Sequence, residues 1–193
     1  TIIYVAKILT MLGKKVLVVD ATVNQKARYV VPVINPTMSY VTEFEEIDIA
    51  VGFKNIEMIK QYLGLQETEK MEYDIVMIDA DRIETIQSFT LNDADKNYFV
   101  TSFDLYSLKK CLEAINLLPE PLQMTKILFS KDMLKEEDEY LNFLARDSKV
   151  KWGDHKIYFP ITIEDLNVIA ENQRVEKIKF KKLSESYKDS LQY

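Results

Sequence analysis

Two short apolar runs that end in the same residue constrain this chain more than any other feature. Val16-Leu17-Val18-Val19-Asp20 and Ile75-Val76-Met77-Ile78-Asp79 each close four apolar residues with an aspartate. A run without alternation leaves no side for water, so each predicts a strand buried on both faces, the kind that sits in a parallel sheet covered by helices. The first run follows Ile2, Val5, Ile8, Leu9 and Leu12 at helical spacing and a Gly13-Lys14-Lys15 turn, which makes a helix, a turn and a strand of residues 2–20. Ligands of open α/β sheets bind at the carboxyl ends of the strands. Two strand-tip aspartates in matching context therefore point to phosphate and magnesium chemistry; either one alone reads as well as a helix cap or a soluble turn residue.

The rest of the chain keeps the beat of strand and helix. Residues 21–42, with Pro32 and Pro36, read as a long functional or partner-facing connection. Residues 46–51 alternate like a strand, and Ile56, Ile59, Tyr62 and Leu63 mark a helix stopped by Gly64. After the strand ending at Asp79 comes a polar segment, then a strand at residues 98–101 and a helix face of Leu105, Leu108, Leu112 and Ile115. Ile127, Leu128 and Phe129 predict another strand, Tyr140, Phe143 and Leu144 another helix face, and Ile157, Tyr158 and Phe159 a last strand before Pro160. Val175, Ile178 and Leu183, with Tyr187 beyond, are spaced as an apolar helix stripe inside a basic stretch. The expectation is one α/β domain over residues 1–193, doubly wound, with a mainly parallel sheet covered by helices on both faces.

Composition removes several classes. A formal charge of -6 disfavours a protein coated in basic surface for nucleic acid. The lone Cys111 excludes an internal disulfide, and with the lone His155 it leaves no His/Cys cluster for zinc. No apolar run approaches the roughly 20 residues of a membrane helix, so the reading is a reduced, cytoplasmic protein. Cys111 lies on an apolar helix face and reads as a small core filler. His155 reads as a surface or strand-edge residue, and residues 136–139 as a solvated, acidic helix start.

These residues resemble a known family. Thr1-Ile2-Ile3-Tyr4-Val5-Ala6-Lys7-Ile8-Leu9 through Gly13 to Asp20 is similar to the helix and second strand that follow the phosphate loop in ParA/MinD-like P-loop ATPases, the deviant Walker A superfamily. Tyr73 through Asp79 resembles the family's Walker B strand, and Asp93-Ala94-Asp95-Lys96-Asn97-Tyr98-Phe99-Val100-Thr101 its "alanine-aspartate, then strand" segment. Ser107-Leu108 stands where the family starts a helix, and residues 157–160 resemble its last strand. The resemblance implies a P-loop NTPase-like fold that binds ATP and Mg2+. Asp79 would be the metal-side carboxylate and Asp20 the catalytic-side one, with Thr1, Asp20, Thr22, Ser130 and Lys131 around the nucleotide.

It also implies a homodimer that responds to nucleotide and a protein partner from a partition, pilus or secretion system. The exposed basic tail offers contact with nucleic acid or a membrane surface through Lys177, Lys179, Lys181 and Lys182, peripheral at membrane or nucleoid.

The chain departs from the family at several chemical positions. A Walker A loop wraps phosphates with successive glycine amides and reaches them with a lysine, yet none of Gly13, Gly52, Gly64 and Gly153 precedes Lys-Ser or Lys-Thr. The expectation is an upstream strand and loop before Thr1, without which the sheet lacks its central strand. Asp20-Ala21-Thr22 replaces the family's Asp-x-Asp, and a hydroxyl cannot replace a carboxylate as general base. Ala80-Asp81 replaces a small residue and proline, and Ser130-Lys131 stands where asparagine commonly contacts the base. Binding is favoured over fast hydrolysis, which keeps open a non-hydrolysing interaction module like the atypical pilus-assembly members. A metabolic ligase of the same superfamily would need a substrate pocket the sequence does not identify. Tyr187 and Tyr193 fall short of the dense tyrosine cluster of the related bacterial tyrosine kinases.

Overall fold

The computed structural model describes residues 1–29, 31, 38–102, 104–130 and 135–192, the side chains of residues 130 and 135–137 excepted. The fold is α/β with mainly parallel sheets flanked by helices. The chain divides into two compact units, residues 1–89 with 169–179, and residues 90–168 with 180–193.

In the first unit, helix α1 (Ile2–Met11) leads into strand β1 (Val16–Asp20). Gly13, at φ +79°, ends the helix. Its amide donates to Thr10 and that of Lys14 to Leu9, the two bonds that satisfy orphan carbonyls at a left-handed cap. All five residues of β1 are buried, as the unbroken apolar run predicts. It lies between β3 (Ile47–Val51) and β4 (Ile75–Asp79), parallel to both. β2 (Tyr40–Phe44) pairs antiparallel with β3, giving the order β2-β3-β1-β4. Helix α1 packs across β1, β3 and β4, and Ala6 joins Val16, Val18, Phe44, Ile47, Ile49 and Val51 in one cluster. Helices α2 (Ile56–Tyr62), capped by Asn55 and closed at Gly64, and α3 (Ile83–Ser88) complete the connections.

The second unit holds the sheet β5-β6-β7, formed by β5 (Tyr98–Thr101), β6 (Leu122–Ser130) and β7 (Val150–Pro160), all parallel. Helix α4 (Leu105–Asn116) is capped by Asp104 and buries Leu108, Leu112 and Ile115, the face its spacing predicts. Helix α5 (Lys135–Leu144) lies between β6 and β7 in the chain. Phe159 stacks on Phe129 and meets Tyr187 of α7 (Glu185–Ser190) edge to face.

Five expectations are corrected. Strand β4 is not buried on both faces as its apolar run predicts: Val76 and Asp79 are exposed and Ile75, Met77 and Ile78 half-buried, because β4 has β1 on one side and no strand on the other among the described residues. Residues 40–44 are a strand, because the hairpin β2–β3 turns on Glu45-Glu46 with both residues at positive φ (+54° and +67°). That turn ordinarily asks for Asn-Gly; here the Lys7 ammonium donates to the Glu45 carbonyl at 2.9 Å and to Glu46 at 2.6 Å. Residues 174–183 are not a helix. Helix α6 (Ile163–Arg174) stops where Glu176 turns left-handed at φ +50°, with the Lys177 amide donating to the Asn172 carbonyl. Asn172 Nδ2 then binds Tyr4 Oη and the Lys179 carbonyl, fixing the departing chain in the first unit. On α5 the inner residues are Asp138 and Leu141, with Ala145 just beyond, while Tyr140 and Phe143 face water. Cys111 is exposed on α4. His155 is exposed on β7, as read.

In the second unit Asp165 is buried and accepts from the Thr162 and Ser184 amides and from both hydroxyls. Burial alone would raise its carboxyl, but these donors outweigh it and hold the group below the usual range. Because the folded carboxyl is the more acidic, its stabilisation is complete above the unfolded value of about 3.9 and is lost as pH falls through the folded one. Asp165→Ala is expected to cost about 2–4 kcal/mol at pH 7 by denaturant melts, a gap to wild type that narrows in acid. Glu46→Gly is expected to stabilise. Relief of the left-handed strain, about 1–2 kcal/mol, exceeds the loss of an ion pair whose Glu46 end is exposed and whose Lys7 ammonium keeps the Glu45 carbonyl, raising Tm by about 1–3 °C.

Candidate strand-tip site

Strand register brings the two signature aspartates together. Because β1 and β4 are parallel neighbours paired Val16 to Ile75, Asp20 and Asp79 are register partners at the carboxyl ends. One more ladder bond, from the Ala21 amide to the Asp79 carbonyl at 3.0 Å, ties the tips. Thr1 stands at the amino end of α1, with its main-chain nitrogen in the neighbourhood of Asp79.

The two carboxylates are used differently. Asp20 is buried, and its Oδ1 accepts from the Thr22 amide at 3.1 Å and the Thr22 hydroxyl at 2.6 Å, its Oδ2 from the Ala27 amide at 2.9 Å. Thr22 Oγ1 in turn accepts from the Gln25 amide. Asp20 thus folds residues 22–27 back over the tip of β1, and the 3-10 turn over Lys26–Tyr29 follows. Asp79 has no hydrogen-bond donor on its carboxylate among the described residues and is exposed. Its carboxyl is raised above the ordinary range, first by desolvation, then by the charges of Asp20 and Asp81, against the pull of Lys26.

Sequence reasoning passed over two residues here. Asp81 accepts from the Val23 amide through both oxygens, at 3.0 and 3.2 Å, and Thr85 Oγ1 donates to the Ala21 carbonyl at 3.0 Å. Ser130 ends β6 in the second unit, and its side chain and the whole of Lys131 lie outside the described residues. Lys177, Lys179, Lys181 and Lys182 are all exposed.

Among the described residues no three His, Cys, Asp or Glu side chains converge on a metal position, which removes an all-protein cage. Mg2+ does not need one: it is held by one or two carboxylates together with water and phosphate oxygens. A hard, undonated carboxylate whose ionisation the surrounding acids oppose fits that demand at Asp79. No protein-family model matches this chain, and a search of curated proteins finds no match either.

Opposite effects follow for the two aspartates. Asp20→Ala leaves three donors without an acceptor and is expected to cost about 2 kcal/mol or more, with faster hydrogen exchange at Thr22 and Ala27. Asp79→Asn is expected to raise Tm at pH 7. An acid whose folded pKa is raised loses the fold stability as pH climbs from the unfolded value to the folded one, and asparagine does not, so the two proteins converge in acid.

Proposed function

We propose that this protein is an ATP-binding, ParA/MinD-like switch whose nucleotide state governs its dimerisation and so the placement of a partner from a partition, pilus or secretion system. The observation that carries the reading is the register pairing of Asp20 with Asp79 at parallel strand tips beside the amino end of α1. Helix amino ends and strand tips are where phosphates are held in such folds. In this reading Asp79 holds Mg2+, which neutralises phosphate charge when bound, and Asp20 orders the loop beside it.

A phosphate-wrapping loop is still required, and we assign it to a strand before Thr1 that lies along the free edge of β4. Support comes from β4 itself, which has β1 on one side, no strand on the other among the described residues, and Val76 exposed.

The engagement of Asp20 favours binding without rapid turnover. Its carboxylate already accepts three hydrogen bonds, and Thr22 offers only a hydroxyl that is itself committed. A non-hydrolysing interaction module is therefore the second reading.

Calorimetry of ATP with magnesium on the protein extended upstream of Thr1 tests the proposal. Micromolar binding lost in Asp79→Ala is the expected result, and absence of binding would leave only the interaction module. Lys179→Glu, Lys181→Glu and Lys182→Glu together are expected to abolish sedimentation with anionic liposomes or a shift of duplex DNA. An unchanged result, or no binding by the unaltered protein, removes the surface-contact role.

A further inference from the structure

Helix α5 carries two faces that compete for the interior. At about 100° per residue, Asp138, Leu141, Asn142 and Ala145 fall along one side, and Tyr140, Phe143 and Leu144 along the opposite one. Apolar area favours burying the second face, since each aromatic ring hides far more surface than the small or polar residues opposite. The structure buries Asp138, Leu141 and Ala145 of the first, with Asn142 at its exposed margin, and leaves Tyr140 45% and Phe143 63% exposed.

The reason lies on the sheet. Lys126, in the middle of β6 and itself buried, donates to Asp138 Oδ1 at 2.6 Å and to Asn142 Oδ1 at 2.5 Å. Its ammonium also stands 4.9 Å from the centre of the Trp152 ring. Lys156 of β7 donates to the other Asp138 oxygen at 2.7 Å. A buried ion pair contributes little compared with apolar residues of the same size, but it penalises heavily any arrangement that leaves one partner alone. Turning α5 over would bury two rings and strand the Lys126 charge in the core.

We propose that the Lys126–Asp138–Lys156 clasp is a conformational catch that selects between two seatings of α5, holding Tyr140 and Phe143 outward. Releasing it lets the helix turn over and bury them. The clasp belongs to the second unit and does not depend on nucleotide binding.

A thiol at the inner face reads the seating. In a Cys111→Ser background, Ala145→Cys places a thiol where the clasped helix shields it, and Ellman's reagent is expected to react slowly. Adding Lys126→Met with Asp138→Leu is expected to accelerate labelling at least tenfold, and adding Tyr140→Ser with Phe143→Ser is expected to reverse that gain, because the rings drive the turn. No acceleration overturns the proposal. So does acceleration that survives loss of the rings, which would mark local unfolding. Should the apolar pair fail to melt cooperatively, Asp138→Asn replaces it with the same two outcomes.

Discussion

Everything in the first unit hangs on β1 being hydrogen-bonded on both sides and buried on both faces. A strand in that position has no freedom of register: a one-residue slip would break two ladders and exchange both apolar faces at once. Val16 faces Ile75 in the ladder, and the count along two equal runs then carries Asp20 to Asp79 without further help. The pairing of the two aspartates is a consequence of the most constrained element of the sheet.

Carboxylates in this protein are spent on holding chain as much as on display. Asp20 folds a loop back through two amides and a hydroxyl, Asp81 takes the next amide along, and Asp165 gathers four donors from two segments. Asp138 joins two lysines to a helix. Against that pattern Asp79 stands out, since it lies among acids and receives no donor from the described residues. Neighbouring acids that oppose its ionisation are the physical ground on which it is proposed as a site.

Legibility in the sequence followed the strength of the local signal. The buried run of β1, the glycine stop of α1 and the inner residues Leu108, Leu112 and Ile115 of α4 were readable because each rests on spacing or on a residue with one steric meaning; the run of β4 gave the strand but not its exposure, which an unpaired edge decides. The hairpin at Glu45-Glu46 and the helix end at Glu176 were not, because a non-glycine residue with positive φ carries no mark in the sequence and is held by distant partners, Lys7 in one case and Asn172 in the other. The role of Asp20 was half legible: its place at a strand tip could be read, its commitment to Thr22 and Ala27 could not.

The sequence by itself determined where the elements lie: the two apolar strands with their aspartate tips and the helices that alternate with them, and of the two strands the burial of β1 alone. Tertiary structure decided which face of α5 turns inward, where the basic tail leaves its helix, and which of two equivalent-looking aspartates stays open. The reason is common to all three. Each outcome depends on the partner a charged or polar group finds across the fold, and partners separated by tens of residues in the chain leave no local periodicity to read.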